Sequence, residues 1–320
     1  MKILFADKFQ EAYLEELRAQ GHEFDFQPDL SADDLPAHVA GAEVLIVRST
    51  KVTRATIEAA DRLKLVIRAG AGTNTIDKEA AAEKNIPVCN VPGKNAVAVA
   101  ELAFGLLLAI DRNIPDNVIE LRQGQWNKKK YSKADGIMGR HIGIVGLGGI
   151  GLALAERAAA FGMHVHVVHK PTRDTETAQR LQAIQAKELN DLHQLAAECS
   201  VLSFHVPATD ETRGMINADL LEHFRDGAIL LNTSRGEIVD EPALLEAMDR
   251  KGIRAGLDVY NDEPGSARGE FHSALAQHPN VYGTHHIGAS TEQAQNAIAA
   301  EVVRMLDEFG RGNLLHCVNL

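Results

Sequence analysis

The chain has 320 residues, of which 45% are apolar and 24% charged. That is the profile of a soluble globular protein, with room for about two domains at roughly 150 residues each. Its formal charge is −11, from 33 Lys and Arg against 44 Asp and Glu, which repels phosphate backbones and anionic lipid and excludes nucleic acid and membrane as principal partners. A small anionic substrate stays open, because a few local cations outvote a distant net charge. The three cysteines, Cys89, Cys199 and Cys317, form no C-x-x-C pair. They argue against a disulfide scaffold or a cysteine zinc site and fit a reducing cytoplasm.

At the amino terminus, Asp7 and Lys8 stand where a signal peptide needs an apolar run, so a cytoplasmic location is expected. Lys2–Ala6, Val44–Val47, Leu65–Ile67 and Pro87–Asn90 read as strands, with helices at Glu11–Gln20, Arg54–Ala60 and Lys78–Lys84 between them. The most apolar stretch, Val97–Ile110, is too short to span a bilayer and contains Glu101. It reads as a buried or interface helix. Beyond it the alternation restarts, with strands at His141–Val145, Val165–Val168, Val201–His205, Ala228–Asn232, Arg254–Leu257 and Asn280–Gly283. Strands alternating with helices imply a parallel sheet covered on both faces, here twice over: an α/β chain of two doubly wound units. A last helical stretch, Glu292–Phe309, and a tail, Leu314–Leu320, do not make a domain. They are expected to return to the first unit, leaving the second as an insertion, with two chain crossings and a cleft between the domains. There is no low-complexity segment, no internal repeat and, among the 14 histidines, no H-x-x-x-H or H-E-x-x-H spacing, so no metal is expected.

The strongest local signal is Gly146-Leu147-Gly148-Gly149-Ile150-Gly151, directly after the strand ending at Val145 and before a helical run. In that context G-x-G-x-x-G binds a dinucleotide. Gly146 allows the tight turn, Gly148 lets backbone approach a pyrophosphate, Gly151 allows close helix–strand packing, and the helix amino terminus faces the anion. Three further loops follow strand ends, the edge at which open α/β sheets bind ligands. Arg235 lies in Asn232–Gly236, three carboxylates lie in Asp258–Glu263, and two imidazoles open His285–Thr291. Singly each is an ordinary loop residue; together they supply a cation, an acid and an imidazole.

These residues resemble the D-isomer-specific 2-hydroxyacid dehydrogenases, and within that family its phosphoglycerate-type branch. Arg68–Asp77 (RAGAGTNTID) is similar to the family's substrate loop and Asn90–Glu101 (NVPGKNAVAVAE) to the segment entering its cofactor domain. Arg112–Pro115, Gly124–Lys130, Asn232–Glu241 and His286–Thr291 are phosphoglycerate-type strings. The resemblance covers nearly the whole chain. It implies a flavodoxin-like substrate domain over 1–96 plus 286–320 and a Rossmann cofactor domain over 97–285. It also implies catalytic roles for Arg235, Glu263 and His286, with the Gly-Ala-Ser-Thr register selecting His286 over His285. Arg48, Asn95 and the loop Arg68, Ala69, Gly70, Ala71, Gly72 match substrate-binding positions. Gly149 and Ile150 of the glycine turn, His205, Val206, Pro207, Thr233, Ser234 and Asp258 match positions around the cofactor.

The chemistry needs these types. Hydride leaves the carbon of a 2-hydroxy acid while a base takes the hydroxyl proton, and an imidazole serves both directions. A carboxylate on its far nitrogen fixes the tautomer and stabilises the imidazolium, the role expected of Glu263. An Arg fork binds the substrate carboxylate. The implied substrates are D-3-phosphoglycerate and 3-phosphohydroxypyruvate, with Arg48, Lys51, Arg68 and Lys94 as cations for a distal phosphate. Lys94 and Ala96 depart from the Gly and Ser expected in that loop, an alteration at the phosphate site. A glyoxylate or hydroxypyruvate reductase, and a dinucleotide-sensing binding protein, are the rivals.

NAD enzymes carry an acid at the end of the second strand of the glycine-turn unit. Here that position is His169, followed by Lys170, Thr172 and Arg173, and the nearest acid is Asp174. A preference for NADP over NAD is therefore expected. The segment after His286 suffices for a returning helix and tail, not another domain, so regulation by serine is not expected. The apolar helix lies where the family dimerises, which implies a homodimer. Lys128–Lys130 reads as a solvated run.

Overall fold

A computed structural model describes residues 1–264 and 269–320. The chain divides into two compact units, one holding Met1–Asn95 and Ala289–Leu320, the other Ala96–Glu263 and Phe271–Gly288. In the first, β1 (Lys2–Phe5), α1 (Glu11–Ala19), β2 (Glu23–Phe26), α2 (Leu35–His38), β3 (Val44–Val47), α3 (Arg54–Ala59), β4 (Leu65–Arg68), α4 (Lys78–Glu83) and β5 (Val88–Asn90) follow in order. The strands form a parallel five-stranded sheet in the order β2-β1-β3-β4-β5. All four residues of β3, Val-Leu-Ile-Val, are buried, as a central strand covered on both faces requires. The strand order reverses between β1 and β3, so the sheet opens at their carboxyl ends, where Asp7 and Arg48 lie. This is the flavodoxin-like order, with its ligand position at the switch point.

The second unit begins with α5 (Ala96–Arg112) and α6 (Ile114–Arg122). It continues through β6 (His141–Val145), α7 (Gly149–Ala160), β7 (His164–Val168), α8 (Thr175–Ala183), β8 (Lys187–Leu189), α9 (Leu192–Glu198), β9 (Val201–Phe204), α10 (Ala218–Glu222) and β10 (Ile229–Asn232). A short 3-10 turn at Gly236–Ile238, α11 (Glu241–Lys251), β11 (Arg254–Leu257), α12 (Ala274–Gln277) and β12 (Val281–Gly283) complete it. The sheet is parallel, seven-stranded, in the order β12-β11-β10-β9-β6-β7-β8, the Rossmann arrangement with its switch point between β6 and β9. The apolar helix is α5, which buries Ala100, Ala103, Leu107 and Ile110 in one core with Ile144, Leu154 and Leu231. Asp174, Asp191, Asn217 and Asp240 cap the amino termini of α8 to α11 through their side chains.

The chain then returns as α13 (Glu292–Gly310), capped by Thr291. Ile298, Val302 and Leu306 enter the core of Ile3, Phe5, Leu14 and Leu17. The tail runs beside β5: the Val318 N–H bonds the Val88 carbonyl at 2.9 Å, and Asn319 Oδ1 accepts from the Val88 N–H at 2.6 Å. Helix and tail thus belong to the first unit's core. The sequence reading missed β2 and β8, both edge strands. Glu-Phe-Asp-Phe and Lys-Glu-Leu carry charges that discourage edge-to-edge pairing and blur a strand's apolar pattern. Among the described residues no helix is long and apolar enough to cross a membrane.

Candidate active site

The glycine turn joins β6 to α7. Gly146 sits at φ +91°, a conformation L side chains rarely adopt. A Cβ at Gly151 would fall 1.9 Å from the Gly146 carbonyl oxygen, so only glycine lets α7 start this close to β6. Gly148 differs, because a Cβ there would meet nothing within 4 Å. Its open face, Gly149 and Ile150 lie at the amino end of α7, whose first turn carries no acidic residue. That is a cradle suited to a pyrophosphate. Across the switch point, the His205 N–H bonds the Val145 carbonyl at 2.7 Å, and its Nε2 lies 2.8 Å from Ser203 Oγ. Burial pushes the His205 imidazole down to about 4, so it is neutral. Val206 and Pro207 continue that strand end.

At the end of β10, Asn232 organises the next loop. Its Oδ1 accepts from Ser234 N and Oγ at 3.0 and 2.7 Å, and its Nδ2 donates to the Arg235 carbonyl at 2.8 Å. The buried Thr233 hydroxyl has no partner, which leaves a donor for a ligand. Gly236 is forced by proximity: a Cβ would lie 2.1 Å from the Tyr260 carbonyl carbon. The Arg235 loop therefore packs directly on the loop after β11.

Glu263 and His286 meet in this second unit. His286 Nδ1 lies 2.7 Å from Glu263 Oε2, while Oε1 accepts from the Tyr260 N–H at 2.8 Å. Burial favours the neutral acid at Glu263. The hydrogen bond and charge of His286, the Tyr260 N–H and the Arg235 charge outweigh it and hold the carboxyl below its ordinary value. With Nδ1–H donated to this carboxylate, Nε2 is the ring nitrogen left for proton exchange. His286 itself sits at φ +51°. The loop is fixed from below by Asp258, which is only 1% exposed. Its Oδ1 accepts from Thr284 Oγ1 and the Ile287 N–H, at 2.6 and 2.8 Å, and Oδ2 from the Gly288 N–H at 2.8 Å. The contacts of Asp258 thus make it the anchor of the histidine loop, a role the sequence did not suggest. They also tie His286 to the unit that carries the glycine turn.

In the first unit, Asp7 Oδ2 accepts the N–H groups of Arg48, Ser49 and Thr50 at 2.7, 3.0 and 3.0 Å, and Arg48 Nη2 reaches Ser290 Oγ at 3.3 Å. Gly70 is at φ +148°, and a Cβ there would strike the Arg68 guanidinium at 1.7 Å. The Ala69 N–H bonds the Val47 carbonyl, and Asn90 Nδ2 the Ala71 carbonyl. Arg48 and the Arg68–Gly72 loop therefore gather at the ends of β3 and β4, with Asn95 at the unit's limit. Lys94 departs from expectation. Its ammonium lies 3.5 Å from Glu301, a largely buried carboxylate that Arg304 and His316 also approach and that is held down to about 2. Lys94 is thus drawn towards α13, where Glu301 competes for its charge.

At the end of β7, Asp174 is not the nearest acid. It caps α8 through the Thr177 N–H at 2.8 Å. Glu188, brought in by the missed strand β8, pairs with His169 Nδ1 and lies 3.3 Å from Arg173 Nη2. Arg173 also donates to the Val168 carbonyl at 2.9 Å. Folding further assembles exposed His193, Asp219 and His223, with ligand atoms within 4.8 Å of one another, a grouping no sequence spacing reveals. Lys128–Lys130 are all exposed, with Lys130 paired to Glu120.

Residues 104–288 match the NAD binding domain of D-isomer specific 2-hydroxyacid dehydrogenase. The D-3-phosphoglycerate dehydrogenase of Methanocaldococcus jannaschii is 38% identical over 316 residues, 98% of this chain and 58% of that one. The hydroxypyruvate reductase of Thermotoga maritima is 40% identical over 284 residues, 88% of this chain and 89% of that one. The crystal structure of the TT0316 protein from Thermus thermophilus superposes with a TM-score of 0.85 at 32% identity, covering 99% of this chain and 100% of that one. The chain belongs to the D-isomer specific 2-hydroxyacid dehydrogenase family. It spans 58% of the length of the archaeal phosphoglycerate dehydrogenase.

Proposed function

We propose that the chain is an NAD(P)-dependent oxidoreductase that moves hydride between a nicotinamide and a D-2-hydroxy acid, with D-3-phosphoglycerate and 3-phosphohydroxypyruvate as its substrate pair. The observation that carries this is the 2.7 Å pair of His286 and Glu263 with Arg235 close enough to influence the Glu263 charge. All three stand at strand ends of the sheet that bears the glycine turn. When bound, the nicotinamide supplies or accepts the hydride. Glu263 fixes the His286 tautomer through Nδ1 and stabilises the imidazolium. Nε2 takes the hydroxyl proton in oxidation and returns it in reduction. Arg235, whose Nη1 donates to the Ser234 carbonyl at 2.6 Å, offers its remaining N–H donors to the substrate carboxylate and keto oxygen. Arg48, Asn95 and the Arg68–Gly72 loop bind the remainder of the substrate, and the segment 97–285 acts as the cofactor domain.

The second reading, a hydroxypyruvate or glyoxylate reductase, is favoured by the diversion of Lys94 to Glu301 and by the Thermotoga relative. Following nicotinamide absorbance with 3-phosphohydroxypyruvate, hydroxypyruvate and glyoxylate separates the two. The first reading expects the phosphorylated acid to have the highest kcat/KM. A large preference for glyoxylate or hydroxypyruvate overturns it, and no turnover with any of them supports a non-enzymatic dinucleotide sensor. Of the two cations behind the expected NADP preference, Arg173 is held by Glu188 and the Val168 carbonyl, whereas Lys170 is exposed. A homodimer is proposed from the exposed apolar side chains of α6, Ile114, Ile119 and Leu121, and from Trp126.

A further inference from the structure

The end of β7 is where a Rossmann sheet meets the adenosine ribose, and the neighbouring strand delivers a carboxylate there. Parallel pairing sets Val167 beside Glu188 and Val168 beside Leu189, and the His169 N–H closes the register on the Leu189 carbonyl at 2.7 Å. Glu188 Oε2 meets His169 Nδ1 and Oε1 lies 3.3 Å from Arg173 Nη2. The two partners are not equally accessible. The Arg173 side chain is 10% exposed and that of Glu188 39%, so the guanidinium is covered while the acid keeps an open edge.

We propose that Glu188 reads the 2′ position of the adenosine ribose and makes this site select the dinucleotide that lacks a 2′-phosphate. The assignment rests on the dinucleotide reading above. A ribose diol donates to a carboxylate, whereas a 2′-phosphate brings roughly two negative charges against it. Arg173 Nη2 is held by both Glu188 and the Val168 carbonyl, so its charge is already met by the carboxylate. The acid sits one strand away from its usual position, which is why a search after the glycine turn does not find it. Removing the Glu188 charge acts twice: it ends the repulsion and releases Arg173 and His169 to a phosphate.

The test is calorimetric binding of ADP-ribose and 2′-phospho-ADP-ribose, which differ only at that position, to the full chain and to Glu188→Gln and Glu188→Ala. The wild type is expected to bind ADP-ribose at least about tenfold tighter, as befits a hydrogen bond to a charged group. Both variants should cut that ratio by about tenfold or more, chiefly through tighter binding of the 2′-phospho compound. The ratio is internal to each preparation, so partial unfolding leaves it unmoved. A wild type favouring the 2′-phospho ligand, or variants that keep the wild-type ratio, overturn the assignment and leave Glu188 as a sheet-edge ion pair. If neither ligand binds the folded wild type, the dinucleotide reading itself falls, and this assignment with it.

Discussion

Asp258 accepts the Gly288 N–H at 2.8 Å, and a Cβ at Gly288 would come within 3.0 Å of the same carboxylate oxygen. The bond spans β11 and the loop after β12, and with the Ile287 N–H it clamps the backbone immediately after His286. A left-handed His286 costs conformational energy that such a clamp offsets.

Asp258→Asn should therefore act on catalysis through position. The amide turns one acceptor into a donor facing an N–H, which costs about 1–3 kcal/mol. Thermal unfolding should show a lower Tm, and kcat should fall about tenfold or more, as small misplacements do, with KM for the acid changed less. An unchanged kcat in a folded variant would mean the loop holds its shape without the clamp.

Gly148→Ala and Gly151→Ala should separate binding from folding. A Cβ at Gly148 meets open space, so the variant should unfold at nearly the wild-type temperature yet bind NADH more weakly, because the methyl occupies the pyrophosphate's approach. A Cβ at Gly151 collides with the Gly146 carbonyl. That variant should lose stability outright. Normal NADH binding by Gly148→Ala would remove the pyrophosphate from this turn.

His166 should make the protein acid-labile. It is 2% exposed, stacked on His141 at 4.8 Å between ring centroids, and neither ring nitrogen has a partner. Burial, then the charges of His141 and Lys187, push it down from 6.5 to about 4. The unfolded chain protonates first, so the stability tied to the neutral ring is complete above about pH 6.5 and lost as pH falls towards 4. The loss is on the order of 3 kcal/mol. Tm measured against pH should fall across that window in the wild type and fall less in His166→Leu. Parallel curves would place the acid sensitivity elsewhere.

The two parallel sheets were legible because their inner strands are uninterrupted apolar runs, as at Val44–Val47 and Ile229–Leu231. The glycine turn was legible because sterics admit only glycine at Gly146 and Gly151. What escaped was non-local. Asp258 is distant in sequence from Gly288, Lys94 from Glu301, and Glu188 from His169, and each pair exists only after strand register or helix packing brings it together. The edge strand β8, too short and charged to read, also hid Glu188, the acid that meets His169.

The most direct test of the account is turnover by His286→Ala, followed as nicotinamide absorbance with the acid that the wild type uses best. The pairing with Glu263 predicts a kcat lower by about 10²- to 10⁴-fold, with NADH still bound at close to wild-type affinity. Near-normal turnover in that variant would contradict the account and move the acid–base role to another group, His285 first.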